Sequence, residues 1–201
     1  MISVALFDVD GVVRHYEPPD PVEARWGLPQ GVLADAAFDT DLLRRLTTGV
    51  LTREAWVREI GDRVGNHRAA RDWASRPGRV DQDVLRVIGD LRAGGCPVVL
   101  FSNGSDELRR ELAALDVTRH VDGVVNSAEL GVAKPDRAAF ERACEVVGCS
   151  PGSAAFVDDS PANVDAAAGL GMRTHRYTAV PALRQFLDEL GLAGVGRGAS
   201  P

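Results

Sequence analysis

Residues 5–13 read ALFDVDGVV. The apolar run from Ile2 to Phe7 has the look of a buried strand, yet it ends in two aspartates, Asp8 and Asp10, one residue apart. Taking a carboxylate out of water is costly unless a cation or a metal meets it. A strand that carries two acids to its end therefore predicts a positive partner there. Side chains alternate along a strand, so Asp8 and Asp10 are expected on one side and Val9 on the other.

Three further short apolar runs share this character: Pro97 to Phe101, Val121 to Val125 and Ala154 to Val157, with Met172 to His175 a weaker fifth. They are continuous rather than alternating, as parallel strands covered on both faces are. Helical patterns lie between them. Val84, Leu85, Val87, Ile88 and Leu91 make one apolar face, stopped by Gly94 and Gly95. Ser105-Asp106-Glu107 opens a second helix with Leu108, Leu112 and Leu115 on one side. Pro135-Asp136 opens a third, with Ala139, Phe140, Ala143, Val146 and Val147 expected inward and a stop at Gly148. Two more begin at Ser160-Pro161 and Val180-Pro181. Alternating strand and helix predicts an α/β fold built on a doubly wound parallel sheet.

Residues 15–79 interrupt that alternation. Pro18, Pro19 and Pro21 mark the exit from the first strand, and helical patterns follow at 33–38, 41–46, 52–64 and 66–75, with Thr52 a candidate N-cap. All three tryptophans, Trp26, Trp56 and Trp73, fall in this stretch, and Arg76-Pro77-Gly78 marks the return. The expected organisation is a core of residues 1–14 and 80–190, a small helical cap at 15–79, and a Gly/Ala/Ser-rich tail at 191–201 that frays.

In an open parallel sheet, ligands bind beyond the carboxyl ends of the strands. The first strand runs into Asp8-Val9-Asp10, the second into Ser102-Asn103-Gly104 and the fourth into Asp158-Asp159-Ser160. Lys134 stands just before the helix start that follows the third. Two like charges at ~4 Å repel by roughly 4 kcal/mol at an effective dielectric of about 20, so four clustered carboxylates need cations. Lys134, the only lysine in the chain, offsets one charge. A hard divalent ion offsets two more, and Mg2+ favours a couple of carboxylates together with phosphate oxygens.

These residues, in this order, resemble the four motifs of the haloacid dehalogenase (HAD) superfamily: Asp8-Val9-Asp10-Gly11-Val12-Val13, Ser102-Asn103-Gly104, Lys134-Pro135-Asp136, and Val157-Asp158-Asp159-Ser160 followed by Asn163, Ala167 and Gly171. Val12 departs mildly from a pattern in which Thr is commoner. The resemblance implies a Rossmann-like core with a helical cap inserted after the first motif. It implies that Asp8 is the nucleophile and Asp10 the acid and base. Ser102 and the Asn103 backbone would hold the phosphoryl oxygens, and Lys134 would neutralise them. Mg2+ would sit on the Asp8 carboxylate, the Asp10 carbonyl and Asp159, with Asp158 supporting it directly or through water.

The activity so implied is a Mg2+-dependent phosphomonoester phosphatase acting on a small phosphorylated metabolite through an aspartyl phosphate. A sugar-phosphate mutase of the same superfamily and a non-catalytic phospho-ligand binding module are the alternatives. Retention of Asp10 and of the paired acids Asp158 and Asp159 speaks against dehalogenase chemistry. The lack of lysine in residues 15–79 speaks against a phosphonatase. Arg14, His15 and Tyr16 follow the first motif closely enough to be candidate substrate contacts, and Arg44 and Arg45 are candidates for a second anionic group. The tryptophans are expected to pack the cap.

The net charge of −6 and the lack of a basic run argue against a nucleic-acid partner. No apolar stretch approaches the ~20 residues of a membrane span, and the N-terminus lacks a basic segment and a long enough apolar run for a signal peptide. Cys96, Cys144 and Cys149 fit neither a disulfide framework nor a zinc spacing, which suits free thiols in a reducing cytoplasm.

Overall fold

The computed structural model describes residues 1–16 and 22–192. The three prolines of the strand exit and all but the start of the tail, residues 193–201, lie outside that range. The strands are β1 (Val4–Phe7), β2 (Arg14–His15), β3 (Arg79–Val80), β4 (Val98–Ser102), β5 (Gly123–Asn126), β6 (Ala154–Asp158) and β7 (Arg173–Arg176). Five of them form one parallel sheet in the order β5-β4-β1-β6-β7. β1 lies at the centre, with Ala5 in register with Val98 on one side and Ala155 on the other. The chain winds one way from β1 to β4 and β5 and the other way to β6 and β7, so the fold is the doubly wound α/β sheet expected. The switch point falls at the end of β1.

Helices α1 (Val22–Arg25), α2 (Val32–Ala37), α3 (Thr40–Thr47), α4 (Arg53–Val64) and α5 (His67–Ala74) lie between β2 and β3. Helices α6 (Gln82–Ala93), α7 (Leu108–Ala114), α8 (Ser127–Leu130), α9 (Arg137–Val147), α10 (Pro161–Ala168) and α11 (Val180–Glu189) accompany the sheet. Alternation along β1 divides the core. Ala5 and Phe7 pack with α6, α7 and α11 through residues such as Ile88, Leu112 and Leu187. Val4 and Leu6 pack on the other face with Phe140, Phe156 and Met172.

On α9, Ala139, Phe140 and Ala143 are buried as expected, but Val146 is 64% exposed and Cys144 takes its place inward. At 3.6 residues per turn Val146 lies about 120° from Phe140 and so falls off the buried stripe near the free end of the helix.

The helices between β2 and β3 carry their own apolar cluster, in which Leu33, Leu42 and Ile60 are fully buried. Side-chain caps delimit α4 and α5: Thr52 accepts from the Ala55 amide at 3.2 Å and Asn66 from the Ala69 amide at 3.0 Å. Trp56 and Trp73 pack in this cluster with ring centroids 6.2 Å apart. Trp26 packs against its edge, partly buried, and donates to Asp72 at 2.9 Å. The layer meets the sheet domain closely at Gly49, where a Cβ would fall 2.3 Å from the Ala128 carbonyl oxygen. The neck is a short antiparallel ribbon pairing Arg14 with Val80 and His15 with Arg79. Two residues per strand are too few to leave a periodic signal, so this ribbon was not foreseen.

Candidate active site

The carboxyl ends of β1, β4, β5 and β6 bring Asp8, Ser102, Asn126 and Asp158 to one rim. Lys134 lies at its centre. Its Nζ donates to Asp8 Oδ1 at 2.9 Å, to Asp158 Oδ2 at 2.6 Å and to the Phe101 carbonyl at 2.8 Å, so all three ammonium hydrogens are used. Lys134 is 4% exposed, with the Phe101 and Phe156 rings 5.0 and 5.3 Å from its charge. Asn103 holds this lysine in place through its main chain: the side-chain amide donates to the Lys134 carbonyl at 2.8 Å and its oxygen accepts from the Lys134 amide at 2.9 Å.

The acids are unequal. Asp158 is fully buried and saturated. Its Oδ1 accepts from the Ser160 amide at 2.9 Å, Oδ2 accepts from Lys134, and Asn163 donates to both oxygens at 3.0 Å. Asp8 shares Lys134 with it and is left with less compensation. Burial pushes the Asp8 carboxyl up to about 7, Lys134 opposing the rise and Asp158 adding to it. Asp159 is also raised, by burial and then by Asp158. Burial works against the Lys134 charge, but Asp8 and Asp158 outweigh it and its pKa is raised.

Carboxylate oxygens of Asp8, Asp158 and Asp159 all lie within 4.8 Å of one another. They are hard oxygen donors with three negative charges against one lysine, a set that fits a divalent cation of the Mg2+ kind. Since every acceptor direction of Asp158 is engaged by protein donors, Asp8 and Asp159 hold the free ligand positions.

Gly11 keeps this corner open. Its φ is +91°, and a Cβ there would fall 2.3 Å from Asp159 Oδ2. Gly11→Ala should therefore displace the Asp159 carboxylate and strain the turn, costing about 1–3 kcal/mol. Thermal denaturation reads the stability loss.

Asp10 is placed differently from Asp8. β1 ends at Phe7, and the chain turns with the amides of Val12, Val13 and Arg14 all donating to the Val9 carbonyl. Arg14 grips the Asp10 carboxylate from two nitrogens, at 2.6 and 3.0 Å, and reaches Glu111 at 2.9 Å. Glu111 in turn pairs with Arg53 of α4 at 2.8 Å, which ties the turn to the helical layer. Val12, the departure from the motif, is fully buried in the apolar core.

The three candidate substrate contacts separate. Arg14 and Tyr16 line a cavity of about 380 Å3 that also touches Asp10 and Asn103. His15 instead faces Asp81, 3.4 Å away. Arg44 and Arg45 are paired with Asp41 and Glu59. Ser102 is buried, and among the described residues no protein hydrogen bond engages its hydroxyl. Glu111 and Arg53 were missed, because nothing in the local pattern of α7 or α4 distinguishes their roles from those of a solvated charged face.

The fold and this rim define a doubly wound α/β protein whose acids, hydroxyl and single lysine converge at the topological switch point. A family model described as haloacid dehalogenase-like hydrolase matches residues 2–171, and the chain belongs to that hydrolase family. Among curated proteins it is 28% identical over 192 residues to the phosphatase MT3486 of Mycobacterium tuberculosis, covering 87% of this chain and 86% of that one. It is also 28% identical to (S)-2-haloacid dehalogenase 1 of Pseudomonas sp. (strain CBS-3), over 49% of this chain and 44% of the other, so the match spans under half of that relative. A solved HAD family enzyme from Bacteroides thetaiotaomicron, in complex with magnesium and inorganic phosphate, superposes with a TM-score of 0.73 at 21% identity, covering 89% and 96% of the two chains. Among the described residues no helix is long and apolar enough to cross a membrane.

Proposed function

We propose that the chain is a Mg2+-dependent phosphomonoester phosphatase that works through an aspartyl phosphate on Asp8. The observation that carries this reading is the environment of Asp8: one oxygen on Lys134 at 2.9 Å, within a cluster shared with Asp158 and Asp159. The phosphatase relative matched over most of both chains and the magnesium–phosphate complex of a structural neighbour agree with it.

Asp8 and Asp159 would hold the ion, with Asp158 fixing Lys134 behind them. When bound, Mg2+ neutralises phosphoryl charge and supplies the electrostatic stabilisation that phosphoryl transfer depends on. Asp8 attacks phosphorus with the oxygen not held by Lys134, and the P–O bond to the leaving group breaks. Asp10 gives its proton to the leaving oxygen; it then takes one from the water that attacks phosphorus, the P–O bond to Asp8 breaking to free phosphate and regenerate the Asp8 carboxylate. The Ser102 hydroxyl and the Asn103 backbone N–H hold phosphoryl oxygens, and Lys134 offsets their charge.

The test is phosphate release from 4-nitrophenyl phosphate with Mg2+ and with a chelator. Chelation is expected to lower the rate by at least ~10²-fold, restored by added Mg2+. A rate indifferent to chelation overturns the metal assignment. Chloride release from 2-chloropropionate without phosphate release overturns the phosphatase reading. An isomerised sugar phosphate, formed from a hexose phosphate without release of free phosphate, would identify a mutase instead.

A further inference from the structure

The cavity of about 380 Å3 lies between the helical layer and the ends of the strands, and it opens onto Asp10 and Asn103. A phosphoryl group on Asp8 would direct its leaving group into this space. Its volume falls in the range of small-molecule sites, and its walls are chiefly apolar: Leu43, Leu46, Trp56, Trp73 and Leu108, with Phe38 standing edge-on to Trp73 at 6.0 Å.

Most of the polar groups that also line it are already engaged within the protein, the Tyr16 hydroxyl and the terminal nitrogens of Arg76 excepted among the described residues. Arg14 and Glu111 hold each other and Asp10. Arg53 is held by Glu111 and by the Ala74 carbonyl. The Trp56 indole N–H donates to the Ala37 carbonyl at 3.3 Å, and the Thr47 hydroxyl donates to the Leu43 carbonyl at 3.0 Å. The Asn103 amide is spent on the Lys134 main chain. Arg76 donates through Nε to the Trp73 carbonyl at 3.0 Å and lays its guanidinium over the Trp73 ring, 4.9 Å from the centroid.

We infer that the enzyme takes phosphomonoesters of apolar, preferably aromatic, alcohols and discriminates against sugar and polyol phosphates. This rests on the phosphatase reading above and assigns that site its leaving group. Each hydroxyl of a polyol brought into this cavity loses water and finds few free partners, while an aryl or branched alkyl group gains the burial that the walls offer. The aromatic edges of Phe38, Trp56 and Trp73 suit a flat ring.

The test compares 2-phenylethyl phosphate with glycerol 3-phosphate. Both are primary alkyl esters, which keeps intrinsic leaving-group reactivity similar and leaves recognition as the difference. The expected kcat/KM ratio favours the aryl-alkyl ester by roughly 10². Phe38 is 61% exposed, so Phe38→Ser should fold normally, and it is expected to cut that ratio about tenfold. Equal rates, or a preference for glycerol 3-phosphate, overturn the inference while leaving the phosphatase reading intact.

If neither ester is hydrolysed, the phosphatase reading fails, and the cavity is tested by the alcohol alone. Saturable change of tryptophan fluorescence by 2-phenylethanol, weakened about tenfold in Phe38→Ser, supports an apolar ligand. No saturable change, or one untouched by that substitution, overturns it.

Discussion

Asp8→Asn is expected to remove turnover, by on the order of 10⁴-fold or more in kcat, while the protein melts at the same temperature or higher. The two halves of this result have one cause. Asp8 stands at the end of the central strand, 2.9 Å from a lysine that must also serve Asp158. That lysine undercompensates it, and burial pushes its carboxyl up to about 7. A folded-state pKa above the ordinary carboxylate value means that the fold disfavours the charged form. The contribution of Asp8 to stability is therefore present below its ordinary pKa and is lost as pH rises through about 7. Asparagine keeps the shape without the charge, so in metal-free buffer at pH 8 the variant should gain stability, and at pH 4 the gain should vanish. Steady-state phosphate release and thermal denaturation at the two pH values read both effects. Retained turnover would remove Asp8 as nucleophile, and a lowered melting temperature at pH 8 would show that its charge is a structural asset.

The strand ends explain why so much of this site was legible. Asp8, Ser102 and Asp158 sit where parallel strands stop, and in a doubly wound sheet those positions share one rim. Finding the strands therefore amounts to finding the cluster. Helix boundaries were readable for a similar reason, because the caps at Thr52 and Asn66 act within three residues of chain. Contacts between elements distant in sequence were not readable. Arg14 is a candidate substrate contact because it follows the motif closely, and it lines the cavity. What the sequence could not show is the source of its burial, the ribbon with Val80, a residue 66 positions away, and Glu111 on α7. The leaving-group cavity is built by Phe38, Trp56 and Trp73 together with Leu108, and sequence spacing carries no information about such a meeting. Trp56 and Trp73 pack the layer, as expected, and also line its cavity. The chain leaves strand geometry after Phe7 and Arg14 holds the Asp10 carboxylate, a contact that strand alternation alone does not foresee.

Lys134→Met should be the most destabilising single change at the rim, by about 3–5 kcal/mol, which for a chain of this length lowers the melting temperature by roughly 6–20 °C. Methionine fills the stem's volume between the Phe101 and Phe156 rings, so packing alone costs little. The cost is electrostatic. Asp158 is fully buried and Asp8 is 7% exposed, and without the ammonium two neighbouring carboxylates lose their shared cation and the Phe101 carbonyl loses a donor. This account predicts strong coupling. Asp158→Asn in the Lys134→Met background should recover part of the loss, since it removes one of the two stranded charges and Asn163 and the Ser160 amide still find an amide oxygen there. Asp8→Asn in the same background should recover part as well. In the presence of Lys134, Asp158→Asn should instead destabilise, because it takes away the fully engaged partner of a buried lysine. A double-mutant cycle by thermal denaturation in chelator measures the pairwise term directly. Additive losses would mean that Lys134 stabilises the fold through its stem and not through its charge. Mg2+ supplies a further check: a cation on Asp8 and Asp159 replaces part of the missing charge, so the melting temperature of Lys134→Met should rise more on adding Mg2+ than that of Asp8→Asn, which has lost a ligand.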